Sequence, residues 1–284
     1  MPPPNFRQLM RIMGATPHDR LSHLLDVILQ EVKTSSPANS KLETLVAEAK
    51  KLSEGYDEYA IKMSSPTPEV VKKLLKMTDE TDWQSLREEG KTMFELVPEM
   101  SAGGYEGVVL AQFAKITRAK RILEVGMFTG TTTASLALVP SVEHITTLDI
   151  EPYLKEVTEP YFREAGILDK IDVRIGDAKE VMKALAKQGE QFDLVFIDAD
   201  KPSYATYLDL IVPTDASTPS LLAPSGVIVV DNTAFQGAPW CPAEHIAWGE
   251  VIDKFNKTVR SREDLDPLLL AIEDGITLIR RKSD

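Results

Sequence analysis

Cysteine is almost missing from the 284-residue chain. Cys241 stands alone, which excludes an internal disulfide and any cysteine-cluster zinc or iron–sulfur site within one chain. Histidine is scarce as well: His18, His23, His144 and His245 show no metal-ligand spacing and read as helix-surface or packing residues. Any metal must therefore be held mainly by oxygen. Basic charge is in deficit, with 32 Lys+Arg against 44 Asp+Glu and a net charge of −12. Together with a pI near 4.9, this counts against a nucleic-acid partner, whose phosphates must be neutralised. Long apolar runs are missing too. The longest are strand-sized, such as Gly226-Val-Ile-Val-Val230, far from the roughly 20 residues of a membrane-spanning helix. The start, Met1-Pro-Pro-Pro-Asn-Phe-Arg7, has no apolar stretch behind a basic one. The expectation is a soluble, cytoplasmic protein with no membrane partner. Neither an internal repeat nor sustained heptads occur, and no Gly-x-Ser-x-Gly elbow offers hydrolase machinery.

What is present is an ordinary folded-protein balance, 43% hydrophobic and 27% charged residues, enough to bury a full core. From about residue 121, short β-branched runs alternate with amphipathic segments, which predicts an α/β protein with a mostly parallel, doubly wound sheet. Strands are expected at 121–125, 144–149, 171–176, 192–198 and 226–231, and helices at 131–138, 152–165, 178–188, 201–212 and 243–258. Gly166 and Gly189 are placed as helix stops. The segment 267–281 is two apolar runs joined through Asp274-Gly275, a hairpin signal. The first 120 residues contain no convincing strand. Helical periodicity appears there at 18–32, 40–54, 68–77, 82–96 and 105–117, broken at Ser35-Ser36-Pro37 and Ser64-Ser65-Pro66-Thr67-Pro68. The division expected is a helical amino-terminal region, 1–97, and an α/β domain, 98–284.

In an open parallel sheet, ligands bind outside the carboxyl ends of the strands. Each expected strand delivers an acid there: Glu124, Asp149, Asp177, Asp198 and Asp231. Clustered carboxylates are costly unless cations or hydroxyls compensate them. The first strand, Arg121-Ile-Leu-Glu-Val-Gly126, turns through Met127-Phe-Thr-Gly130 into Thr131-Thr132-Thr133. This is Glu-x-Gly-x-x-x-Gly, without the spacing of a dinucleotide fingerprint and without a phosphate-loop lysine. Asp149, at the end of the second strand, can take both hydroxyls of a ribose. A nucleoside ligand with little phosphate is the expectation.

Four motifs carry a family resemblance over about residues 98–281: Met100-Ser-Ala-Gly-Gly-Tyr-Glu-Gly107, Leu123-Glu-Val-Gly-Met-Phe-Thr-Gly130, Phe196-Ile-Asp-Ala-Asp-Lys-Pro-Ser-Tyr204 and Val230-Asp-Asn-Thr-Ala-Phe-Gln-Gly237. The chain resembles the class I S-adenosylmethionine-dependent O-methyltransferases, in their cation-dependent branch typified by the caffeoyl-CoA and catechol enzymes. The resemblance implies a Rossmann-like sheet, a homodimer, and S-adenosylmethionine as cofactor. It places Glu124, Gly126, Phe128, Thr132 and the backbone of Ala102 at the cofactor's amino-acid end and loop. Asp149 would hold the ribose, Ala178 and Asp177 would lie by the adenine, and Asp200, with Asp198 beside it, would meet the methionine portion. Asp198, Asp231 and Asn232 would ligate a divalent cation.

The residues support that last trio independently. Two carboxylates and an amide oxygen form a hard-oxygen half-shell suited to Mg²⁺, and also to Mn²⁺ or Ca²⁺. Lys201 follows Asp198 as the candidate general base, with a lowered pKa expected beside a cation. Tyr204, Phe235 and Trp240 are candidate stacking surfaces for a small aromatic acceptor. The reaction expected is methyl transfer to one hydroxyl of a catechol-like or phenylpropanoid acceptor. The competing readings are a non-catechol acceptor and a catalytically silent cofactor-binding scaffold.

Overall fold

A computed structural model describes residues 16–34, 39–215, 217–243 and 246–284. The opening Met1–Arg7 segment, Ser35-Ser36-Pro37 and His245 lie outside the described residues. Five parallel strands, β1 (Arg121–Val125), β2 (His144–Asp149), β3 (Ile171–Ile175), β4 (Phe192–Ile197) and β5 (Leu222–Val230), are extended by the antiparallel pair β6 (Leu265–Leu270) and β7 (Ile276–Arg281). The order across the sheet is β3-β2-β1-β4-β5-β7-β6. The expected mostly parallel sheet closed by a terminal hairpin is what forms, and the order reverses between β1 and β4, where such folds open a ligand crevice.

Alternation along the strands divides the core into two layers. Ile122, Ile145, Leu194, Phe196, Val227 and Val229 face one way. Their neighbours Leu123, Val125, Leu148, Val195, Ile197, Ile228 and Val230 face the other. Both faces are buried, as parallel strands require. The first layer is covered by α3 (Glu69–Glu80), α4 (Trp83–Glu88), α5 (Gly103–Thr117), α6 (Thr131–Ala137) and α7 (Pro152–Glu164). The second is covered by α8 (Ala178–Lys187), α9 (Tyr204–Ile211) and α10 (Gly249–Ser261). Ahead of these stand α1 (Pro17–Thr34) and α2 (Ser40–Met63), paired as a helical hairpin.

Several expectations shift, and the helix expected at 40–54 runs on to Met63. The helix expected at 82–96 stops at Glu88, because Gly90, at φ +71, leaves helical space. The helix expected at 243–258 runs instead from Gly249 to Ser261, and β5 starts earlier, at Leu222. Residue 97 is also not a break in packing. Val71, Leu74 and Trp83 are fully buried in the same cluster as Ile122 and Phe196, each such side chain contributing about 1.5–3 kcal/mol. We propose that the boundary lies near residue 64, leaving only α1 and α2 outside the sheet's own core.

Candidate active site

The crevice is built where the loops after β1 and β4 cross. Gly126 sits at φ +97, and a Cβ there would lie 1.9 Å from the carbonyl oxygen of Asp198, so only glycine lets the two loops touch. Beside it, the backbone N–H groups of Met127 and Phe128 donate to Asp149 Oδ2 at 3.2 and 2.9 Å, and that of Glu151 donates to Oδ1 at 2.9 Å. Burial raises the Asp149 carboxyl while these backbone donors pull it back. The expected ribose acid is thus the residue that shapes the glycine loop. Phe128, left-handed at φ +46, lays its ring 5.7 Å from that of Trp83.

Glu124 is 0% exposed. Thr132 and Thr147 donate to its carboxylate at 2.5 Å each, and Thr133 donates as well. Burial, opposed by those hydroxyls, pushes its pKa up to about 7. The hydroxyls of Thr132 and Thr133 thereby fasten the start of α6 to β1, and Thr147 adds β2. Ala102 lies half-buried just before α5, and Ser101 Oγ is 3.3 Å from Thr131 Oγ1, which ties that segment to the same loop. Asp177 is exposed and caps α8 through the Lys179 N–H at 2.8 Å, with Ala178 as the first helical residue. Asp200 is exposed and accepts the Tyr207 hydroxyl at 2.5 Å.

Asp198, Asp231 and Asn232 meet at the ends of β4 and β5. Lys201 Nζ stands among them, 2.9 Å from Asp198 Oδ1, 2.5 Å from Asn232 Oδ1 and 2.8 Å from the Tyr204 hydroxyl. Asn232 takes φ +57, and its N–H donates to Asp231 Oδ1 at 2.6 Å. Burial and the side chains around Lys201 act on its pKa in opposite directions. Burial pulls the ammonium down, but Asp198, Tyr204 and Asp231 together hold it above the ordinary lysine value. Tyr204 does not offer an acceptor-stacking face. It is fully buried, packs edge-on against Phe255 at 5.5 Å, and places its ring 5.0 Å from the ammonium. Of the other two aromatics, Phe235 is half-buried and Trp240 is 65% exposed.

Two acids enter the site that sequence reasoning did not assign. Asp274 accepts the Gln236 N–H at 2.5 Å and the Asn232 amide at 3.4 Å, and burial pushes its pKa up to about 7. Its hairpin position hid this role. Glu106 lies in the quoted Gly-Tyr-Glu-Gly motif, yet nothing in the pattern showed which way it turns. It is 3% exposed, its Oε1 has no hydrogen-bond partner, and burial followed by the charges of Asp231 and Asp198 drives its carboxyl well above the usual range. Among the described residues, no three Asp, Glu, His or Cys side chains converge closely enough to cage an ion by themselves. A cation needs the amide oxygen of Asn232 to complete its half-shell, and the lysine ammonium stands between that amide and Asp198. The donor set fits a hard divalent ion in the kind of its oxygens, and the carboxyls of Glu106 and Asp231, held well above the usual range beside Asp198, show how strongly negative the pocket is.

A sheet that reverses order at a glycine loop, with an acid at the end of its second strand, is the arrangement by which Rossmann-like folds bind a nucleoside-containing cofactor. The chain belongs to the O-methyltransferase family, which matches residues 65–282, and it is an S-adenosylmethionine-dependent O-methyltransferase. Caffeoyl-CoA O-methyltransferase 1 of Eucalyptus globulus is 29% identical over 76% of this chain and 83% of that protein. Tricin synthase 1 of Oryza sativa subsp. japonica is 30% identical over 75% and 82%. The SAH-bound methyltransferase PaMTH1 of Podospora anserina superposes with a TM-score of 0.68 at 25% identity, covering 82% of this chain and 96% of that one. No helix among the described residues is long and apolar enough to cross a membrane.

Proposed function

We propose that this O-methyltransferase acts on one hydroxyl of a catechol-like or phenylpropanoid small aromatic, with a divalent cation held by Asp198, Asp231 and Asn232. One observation carries the reading: these three oxygen-bearing side chains gather around Lys201 at the crevice edge. The names of the caffeoyl-CoA and tricin relatives favour the same acceptor class. When bound, a divalent cation supplies Lewis acidity that lowers the pKa of the acceptor hydroxyl. Asp149 and the Gly126 loop orient the cofactor, with Ala102, Phe128, Thr132, Asp177, Ala178 and Asp200 along its length. Lys201 takes the hydroxyl proton. The phenolate oxygen bonds to the methyl carbon as the carbon–sulfur bond breaks, and the sulfonium leaves as a neutral thioether.

Lys201 must be neutral to do this, and the balance of forces on it says when it is. Asp198, Tyr204 and Asp231 raise its pKa, while burial is the largest single influence and lowers it. A cation that took up the charge of Asp198 and Asp231 would remove two of those influences and favour the neutral amine. We propose in addition that the protein is a homodimer, as the resemblance read from the sequence implies. The test is methyl transfer to a catechol panel with added Mg²⁺ or Mn²⁺ and with EDTA. Turnover that stops in EDTA and returns with the metal is expected. Full turnover in EDTA overturns the cation reading.

A further inference from the structure

The helical hairpin α1–α2 lies ahead of the residues that match the family, which start at 65, yet it reaches the site. Within it, His18 Nδ1 lies 3.2 Å from Asp57 Oδ2, and the Ser53 hydroxyl donates to the His18 carbonyl at 3.2 Å. Those contacts fix the first turns of α1 against α2. From that turn Arg20 extends across to the loop that follows Asn232. One guanidinium nitrogen, Nη1, donates both to the Gln236 carbonyl at 3.0 Å and to the Cys241 carbonyl at 2.8 Å.

The loop it grips is in an unfavourable conformation. Asn232, Phe235 and Gln236 all carry positive φ, at 57, 39 and 52°, a region that side chains with a Cβ occupy only when the surroundings insist. From inside, Asp274 provides that insistence: its carbonyl accepts the Ala234 N–H at 2.8 Å and its Oδ1 the Gln236 N–H at 2.5 Å. The far end is held differently. There the Cys241 N–H turns back to the Gly237 carbonyl at 2.8 Å, and the Trp240 ring lies over Gly237, where a Cβ would be 3.1 Å from it. Arg20 closes this end from outside by joining the carbonyls on either side of the Gly237–Trp240 turn.

We propose that Arg20 is a positioning residue for acceptor recognition: it clips the Gln236–Cys241 turn and so sets where Phe235 and Trp240 stand beside the cation-binding pair. The acceptor half of this proposal rests on the function proposed above, and the clip itself rests only on the contacts. It makes the amino-terminal hairpin part of the specificity apparatus, a device added outside the matched family region. Discrimination among small aromatics then depends on a residue more than 200 positions from the loop it holds.

Cys241, the only cysteine of the chain and exposed, reports on the clip; Arg20 Nη2 lies 3.6 Å from its Sγ, so labelling is compared at a pH where the thiol is fully ionised in every variant. The rate at which a disulfide reagent labels it is measured in the full-length wild type, Arg20→Ala and Arg20→Lys. Acceptor KM and S-adenosylmethionine affinity are measured in parallel. Losing the two carbonyl bonds and the sulfur contact from a charged donor predicts labelling about tenfold faster in R20A, an acceptor KM raised about tenfold, and cofactor affinity within about twofold of wild type. R20K, which keeps the charge and one flexible donor, should fall between. Labelling unchanged in R20A overturns the clip. Faster labelling with unchanged acceptor KM overturns its role in recognition, and a parallel loss of cofactor affinity reduces Arg20 to general support. A wild type that turns over no catechol refutes the acceptor class instead, and the labelling rates still decide the clip.

Discussion

Replacing Asp231 by asparagine removes one charge from the most crowded acidic point of the molecule while keeping an oxygen where Oδ1 accepts the Asn232 N–H. Asp231 is 2% exposed. Burial comes first in driving its carboxyl well above the usual range, Asp198 and Asp274 add to that, and Lys201 works against them. In the metal-free protein a carboxyl raised in this way costs stability whenever it is ionised. The sign follows from linkage: the folded state binds the proton more tightly than the unfolded chain, so stability falls as pH rises above the ordinary aspartate value of 3.8. Relief from an uncompensated buried charge is on the order of 1–3 kcal/mol. For a domain of this size that is roughly 2–12 °C in Tm. D231N should therefore melt higher than wild type in EDTA at pH 8, with the gap closing towards pH 4. It should also bind Mn²⁺ more than about 100-fold more weakly, beyond what loss of an outer hydrogen-bond partner costs, and transfer no methyl groups. The assays are thermal unfolding across pH and calorimetric Mn²⁺ titration. A D231N protein that melts lower than wild type at pH 8 would show that Lys201 already compensates the site, and the charge argument would be wrong.

Two further outcomes follow from the same contacts. Lys201→Ala should lower kcat by about 10²–10⁴, the usual range for a proton acceptor, with cofactor affinity within about twofold of wild type by calorimetry; an unchanged kcat at every pH removes Lys201 as the base. Gly126→Ala places a Cβ 1.9 Å from the Asp198 carbonyl at φ +97 and should cost roughly 3 kcal/mol or more, read as a lower Tm or loss of soluble protein, whereas wild-type stability would mean the loops do not cross as described.

The parallel sheet was legible because its signals are local and periodic. Runs such as Gly226–Val230 can only be buried on both faces, and the acids that end the strands fall where the crevice opens. The short helix at Trp83 and the late start of α10 were less legible, since Gly90 and the Trp248–Gly249 junction override a pattern that periodicity alone extends. Asp198, Asp231 and Asn232 were readable as a set because they sit at consecutive strand ends, and strand order turns sequence distance into proximity.

What stayed hidden depends on direction and on partners from afar. Whether Glu124 faces a ligand or three threonines is decided by the rotation of one side chain, and the sequence Glu-x-Gly serves both. Glu106 and Asp274 join the site only because α5 and the β6–β7 turn happen to pack beside Asn232. The same holds for lysine protonation. A Lys-x-x-Tyr step after an aspartate is equally compatible with a neutral base and with a bound ammonium, and only the count of buried carboxylates around Nζ separates them. In this chain Asp198, Asp231 and the Tyr204 hydroxyl favour the ammonium. On the proposed cation reading, metal affinity and lysine basicity are one coupled property, and a substitution at either Asp198 or Asp231 should change both.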